Sequence, residues 1–477
     1  MRRGRRGRSR AGALAMLLAA VPGVAAAGEH APCPECIEIR VDRPRVVRGP
    51  SRHEPDAPLS IIRLPDGSFR GFAANGITLA IDGASPFAMG GEAKVVLRPG
   101  PAGSAADCGR WLTTAIAGRS ALYGLIHNEY NCKYNEGQTH KSMSIAFSDD
   151  YGLSWNVLGQ VITGDDGFVP KRPSGEGDCT AVDGHDGYLY AYCQRLRDWK
   201  NTVVRAPIAD PSPGTWRKWS GAGWEAPGLG GTGVPLETFL GMSSAYWREA
   251  DAVLLMGATG SLRLAVSSDK VHFRRVPEPI LLYDADAWKR PAPTDLYAYP
   301  SMVAEEGGNE IGRHFFLTYT YIPPGEDFTQ RYLVMHDAWI ASRPAPSRPQ
   351  VRVALTRWRN RDGGKWATTG PPIFSGHPYA YEMHLGYLMT APPPSASLEL
   401  DECFSKQSAT GFLAEAGGCA AAGGERRRVA GYVYRAEELG TIALQGCIAS
   451  DGARFVSNRR DCENAGMPDR LLGFALK

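Results

Sequence analysis

The chain has 477 residues, with 56 glycines, 35 prolines, ten cysteines and a formal charge of +3. Six arginines (Arg2, Arg3, Arg5, Arg6, Arg8 and Arg10) lie in the first ten positions, and removing them takes +3 to −3. No basic stripe is left to follow a phosphate backbone, so nucleic acid is excluded as the expected partner.

The arginines run into an apolar stretch, 11–27, broken by Pro22 and Gly23 and ending in Ala25, Ala26 and Ala27. This reads as a secretory signal peptide over 1–27, cut near Gly28. The run falls short of the roughly 20 apolar residues that span a bilayer, so no transmembrane anchor is expected after cleavage. A secreted or periplasmic location follows, and in that compartment ten cysteines read as disulfides rather than metal ligands. Cys33 and Cys36 have redox-motif spacing without a βαβ pattern; a structural bridge, or a link to Cys108 or Cys132, is expected. Cys179 and Cys193 flank two strand-like runs and predict a hairpin staple.

From 50 to 392 the apolar and aromatic residues come in short alternating clusters, as at 121–126, 188–192, 252–256 and 315–321. Long helical periodicity is missing, which predicts an all-β architecture. Ser148, Asp150, Gly152, Ser154 and Trp155 spell S-x-D-x-G-x-S-W. An aspartate there can accept hydrogen bonds from its own turn, and Gly152 can take a backbone angle costly to other residues. The pattern resembles the Asp-box of sialidases and related β-propellers, which joins two outer strands of a blade. Residues 267–273 repeat it in damaged form, with Val271 for the glycine and Phe273 in place of the tryptophan. A β-propeller of five blades is expected, within the usual range of roughly 4 to 8.

A proline-rich step at 391–396 reads as a linker. Beyond it Cys403, Phe412, Cys419 and Gly431 are echoed by Cys447, Phe455, Cys462 and Gly473. A duplicated module over 396–477 is expected, each unit closed by its own disulfide.

Four segments of the body resemble the arabinanase and xylosidase clan of five-bladed glycoside hydrolases: 55–58 around Asp56, 127–130 (His127, Asn128, Glu129, Tyr130), 175–179 (Gly175, Glu176, Gly177, Asp178, Cys179) and 299–301 from Tyr299. The resemblance implies a carbohydrate substrate and separate carboxylates meeting in a central funnel. It makes Asp56 the base, Asp178 a modulator, and Glu129 or Glu176 the acid. Glycoside cleavage needs one protonated and one ionised carboxyl on opposite faces of the sugar. Glu176 and Asp178 are two apart on an extended segment and would point the same way. His127, Tyr299 and Arg331 are candidate substrate contacts. No metal site and no organic cofactor are expected; a structural calcium ion in the central channel, or a calcium-binding loop at 175–178, stays open.

Two other readings compete. Ile62, Arg63, Leu64 and Pro65 resemble the opening motif of sialidases, with Asp82 as acid and Tyr299 as nucleophile. Alternatively the propeller binds glycans or proteins without cleaving them, with Trp199, Trp216, Trp219, Trp224 and Trp247 available to stack on sugars. N-terminal sequencing of exported material is expected to begin near Gly28; an intact Met1 would overturn the leader.

Overall fold

The computed structural model describes residues 32–118, 121–258, 260–283, 285–343, 349–374 and 376–477. The predicted leader, 1–27, lies outside the described residues. Among the described residues the chain is built of β-strands interrupted by short 3-10 turns, as the clustered apolar pattern predicts. No helix among them is long and apolar enough to cross a membrane.

Antiparallel sheets follow one another along the chain. The first runs from Ser60–Arg63 to Lys94–Leu97, the second from Gly109–Ala117 to Asn156–Thr163, the third from Pro173–Asp183 to Arg217–Lys218, and the fourth from Gly241–Trp247 to Arg274–Arg275. The fifth holds Leu296–Val303, His314–Ile322 and Arg331–Ser342. The leading strand of each sheet touches that of the next, and Leu296–Val303 touches Ser60–Arg63 again, closing a ring. The fold is a β-propeller. Apolar side chains such as Leu254, Met256 and Leu317 fill the spaces between sheets.

The strands Ile37–Val41 and Arg45–Ser51 complete the outer side of the fifth sheet by pairing with Arg331–Ser342. The ring therefore begins before residue 50, the start expected from composition. Trp216 and Trp247, 1% and 2% exposed, pack inside this structure and offer no ring to a sugar.

At 148–155 the turn is built around Asp150. Its carboxylate accepts from the Ser154 amide at 2.9 Å and from the Ser148 and Ser154 hydroxyls at 2.7 and 2.6 Å. Partial burial alone would raise this carboxyl; the hydrogen bonds outweigh it and bring the pKa down to about 2. Gly152 has φ +82°, and a Cβ there would lie 2.4 Å from Phe72, whose ring meets Trp155 edge-on at 5.8 Å. The turn thereby docks the second sheet against the first.

The ten cysteines form five disulfides: Cys33–Cys36, Cys108–Cys132, Cys179–Cys193, Cys403–Cys419 and Cys447–Cys462. The hairpin staple and the two module bridges match the expected pairs.

The C-terminal region departs from the expected duplication. Strands Gln350–Asn360 and Tyr379–Met389 pair with each other in the same manner as Ser397–Ser405 with Glu425–Tyr434 and Thr441–Ile448 with Met467–Leu476. Leu355 faces Gly386, Leu400 faces Gly431, and Leu444 faces Gly473. The three leucines are fully buried. A Cβ on any of these glycines would strike a backbone carbonyl of a neighbouring unit at 2.7–2.9 Å, so each unit needs its glycine for the same close approach. The module thus has three units, and 391–396 joins two of them rather than two domains.

Where module meets propeller, Arg428 is buried between Asp295 and Tyr297 of the propeller and Glu402 of the module, with its second guanidinium nitrogen 2.8 Å from Glu402. Removing one partner of a buried pair leaves an uncompensated charge. Arg428→Met is expected to lower stability by about 3–5 kcal/mol, read as a fall in the urea midpoint, with part regained in the Arg428→Met/Asp295→Asn double variant.

Candidate active site

Asp56 stands just ahead of the first sheet, its amide bonded to the Ala74 carbonyl at 2.8 Å. Glu129 lies near the end of Leu122–Lys133, Asp178 in Pro173–Asp183, Tyr299 in Leu296–Val303, and Arg331 opens Arg331–Ser342. Four sheets therefore deliver these groups to one end of the ring. Asp178 and Tyr299 adopt φ of +48° and +50° at bulges in their strands. Such angles are costly for non-glycine residues and here re-aim the two side chains.

Two linked clusters result. In one, Arg331 donates to Asp56 at 2.7 Å, and the Tyr299 hydroxyl also hydrogen-bonds it. In the other, the Lys141 ammonium reaches Asp178 at 2.6 Å and Glu129 at 3.4 Å. His127 Nε2 lies 3.2 Å from Glu129 and 3.5 Å from Asp178, and the Tyr134 hydroxyl donates to Glu129 at 2.6 Å. The Asp178 amide donates to His127 Nδ1 at 3.0 Å. An amide can only donate, so Nδ1 is unprotonated, Nε2 carries the proton, and the ring is neutral. Tyr299 feels the charge of both Asp56 and Asp178, and Asp56 feels Glu129, which ties the clusters into one site.

Burial pushes the Asp56 carboxyl above its ordinary value, against the pull of Arg331 and Tyr299. Burial acts on Glu129 in the same sense, but the Lys141 charge and the bonds from His127 and Tyr134 overcome it and hold Glu129 well below the carboxylate range. Asp178 is likewise lowered, burial being outweighed by the charge and hydrogen bond of Lys141.

Glu176 does not join them. Its carboxylate is buried within the third sheet, 2.5 Å from Lys218 Nζ and bonded to the Thr202 hydroxyl. The expected shared direction of Glu176 and Asp178 fails because the strand bulges between Gly177 and Thr180, which breaks the two-residue alternation. The flanking glycines have a spatial cause: a Cβ at Gly177 would lie 2.7 Å from His127 Nδ1, and one at Gly175 2.3 Å from the Lys141 carbonyl. The sialidase constellation is also not assembled. Arg63 pairs with Glu306, and Asp82 is held bidentately by Arg70 at 2.6 and 2.8 Å.

Lys141 and Tyr134 escaped the sequence reading. Both belong to the hairpin around 129–141, in which Glu129 and Lys141 are direct cross-strand partners. A regular count back from the Lys133–Gln138 pair would set Glu129 opposite Ser142; the register shift between Tyr130 and Lys133 brings Lys141 there instead, and no sequence signal marks it. Parallel pairing of Gly175 with Lys141 then sets that lysine beside Asp178.

Below the site, a space of about 20 Å³ on the ring axis is lined by hydroxyls that include Ser60, Thr113, Thr180, Ser244 and Ser301. Calcium takes roughly 6–8 oxygens, carboxylates prominent among them. A set of neutral hydroxyls around so small a volume fits a water molecule, and the side chain of Ser301 has no hydrogen-bond partner there. The 175–178 segment fits calcium no better, since its two carboxylates are taken by Lys218 and Lys141.

No protein-family model matches this chain, and no curated protein matches it. Among solved structures, the catalytic domain of a family 62 α-L-arabinofuranosidase from Coprinopsis cinerea is 12% identical, covering 64% of this chain and 98% of that one at a TM-score of 0.39. A family 117 glycoside hydrolase from the marine bacterium Zobellia galactanivorans is 13% identical, covering 64% and 91% at 0.41. An α-L-arabinofuranosidase from Podospora anserina, solved with cellotriose, is 11% identical, covering 65% and 98% at 0.39.

Lys141→Met is expected to cost about 3 kcal/mol at pH 7, since two buried carboxylates lose their cation. A depressed carboxyl stabilises the fold above its unfolded value, 4.5 for Glu129, and loses that contribution as pH falls toward its folded value. The gap in urea midpoint between wild type and variant therefore narrows below about pH 4.5. A gap that stays constant with pH would contradict this role.

Proposed function

We propose that this protein is a secreted, five-bladed glycoside hydrolase that cleaves a neutral sugar linkage with paired carboxylates. The observation that carries the reading is the convergence of Asp56, Glu129 and Asp178, from separate sheets, on one end of the ring. Three carboxylates meet Arg331, Lys141 and a neutral His127, so the cluster keeps a net negative charge. That sign suits the positive charge that develops on the sugar ring in the transition state. It opposes a sialic acid, whose own carboxylate would meet one arginine already engaged with Asp56.

Asp56 is assigned as base. Both partners of its carboxylate are donors, which favours the ionised form, while burial raises its basicity. Glu129 is assigned as acid. Its low value rests on Lys141 together with the bonds from His127 and Tyr134, so the assignment requires bound substrate to draw these donors off Glu129 before burial can place a proton there. Asp178 is the modulator that receives the lysine.

Purified protein screened on aryl glycosides and neutral polysaccharides is expected to release sugar. Asp56→Asn should lower kcat/KM by roughly 10²–10⁴ on every substrate. Glu129→Gln should lose as much on natural linkages but little on dinitrophenyl glycosides, whose leaving group needs no proton. As a base, Asp56 must be ionised, so kcat/KM falls as pH drops through its raised value. Equal product release by wild type and Asp56→Asn would remove Asp56 from the mechanism.

A further inference from the structure

A cleft of about 1220 Å³, not lined by the site carboxylates themselves, lies between the last propeller sheet and the C-terminal module. Trp358, Tyr379 and Tyr381 line it from the module, and Arg45, Gln330 and Tyr332 from the propeller. Tyr381 is 40% exposed, with the Arg43 guanidinium 3.9 Å from its ring centre. Seven prolines lie along the walls. Their fixed φ makes the walls stiff, so a ligand meets a shape already formed.

Most of the cations lining the cleft are paired, Arg427 with Glu402 at 3.8 Å among them, while the Arg43 guanidinium lies over Tyr381. Arg45 lies 2.5 Å from Asp337, Lys406 2.9 Å from Glu425, and Arg426 2.8 Å from Asp401. Among the described residues of its lining, one cation, Arg43, and one anion, Glu326, remain outside these pairs, so the cleft carries no concentrated charge of either sign. What remains are aromatic faces beside paired polar groups with spare hydrogen-bonding positions. Arg427, 6% exposed and lining the cleft, has an Nε with no hydrogen-bond partner. Apolar C–H faces with hydroxyls around their edge, the surface of a neutral sugar, complement such a wall.

The cleft also adjoins the carboxylate site. Gln330 lines the cleft while the next residue, Arg331, grips Asp56; Pro50 lines the cleft while the Arg52 carbonyl accepts from Arg331 at 3.3 Å. We propose that this cleft binds a neutral oligosaccharide, a distal stretch of the polymer whose linkage is cut at the ring axis. The proposal rests on the hydrolase reading for the identity of that polymer.

The test uses the whole chain carrying Asp56→Asn, so that turnover plays no part, in affinity gel electrophoresis against soluble arabinoxylan, arabinan, galactan and mixed-linkage glucan. At least one polymer should retard it, and adding Trp358→Ala with Tyr381→Ala should weaken that binding by about tenfold with an unchanged urea midpoint. If the double change unfolds the protein, Tyr381→Ala alone, at an exposed ring, carries the test. Retardation by none of the polymers, or binding unaltered by the aromatic changes, overturns the proposal. Cleft-dependent binding by a protein whose wild type releases no sugar sinks the hydrolase reading and keeps the cleft. Sugar release with binding indifferent to Trp358 and Tyr381 does the reverse.

Discussion

Two buried carboxylates that share a site stay ionised together only if a cation stands between them, and here that cation is Lys141. Its place depends on two separate backbone pairings. The hairpin register sets it opposite Glu129, and the parallel pairing with Gly175 sets it beside Asp178. The second and third sheets are thus joined at the site by hydrogen bonds as well as by packing. Disulfide Cys108–Cys132 ties the chain just past Glu129 to the segment leading into Gly109–Ala117, so the arm that carries Glu129 is held at both ends.

The same electrostatics explain why the site has two halves of different character. Asp56 faces donors that belong to the last sheet, while Glu129 and Asp178 face donors from the second. A ring brings the first and last sheets together, so Asp56 and Arg331, 275 residues apart, meet only once it has closed. Closure is in turn completed by the N-terminal strands Ile37–Val41 and Arg45–Ser51. The geometry of the carboxylate cluster is therefore a property of the finished ring rather than of any one sheet.

Much of this was legible in the residues, and what was not has physical reasons. Strand and turn content followed from alternation and punctuation, while Asp56, Glu129 and Asp178 were singled out by the resemblance of their segments to the arabinanase and xylosidase clan, with only the polar run around Glu129 offering a signal of its own. Glu176 misled because alternation holds only for a regular strand, and a bulge cannot be seen in a Gly-x-Gly spacing that also fits close backbone approach. Of the strands before residue 50, Arg45–Ser51 carries arginines, glycine and proline and reads poorly as a strand, whereas Ile37–Val41 has a clear apolar alternation but is a single short run separated from the clusters of the body. The first module unit was hidden because Trp358 and Trp366 occupy the places of Cys403 and Phe412, so the repeat lost its cysteine signature while keeping its Leu355 and Gly386.

That third unit changes what the module means for the site. Tyr299, which bonds Asp56, sits two residues beyond Tyr297, and Tyr297 and Asp295 are both engaged by Arg428 of the module. The strand that delivers Tyr299 is thus fixed at its outer end by a buried cation from another part of the chain. Buried charges of this kind add little net stability compared with apolar packing, but they penalise every arrangement in which the partners fail to meet. A module bound to the propeller by such groups, by the shared strand Ile37–Val41 and by the Thr390 hydroxyl on the Pro279 carbonyl has little freedom to swing. A fixed angle between the two bodies is what keeps the aromatic cleft aligned with the carboxylates, and a hinged module could not offer one polymer chain both surfaces at a constant distance.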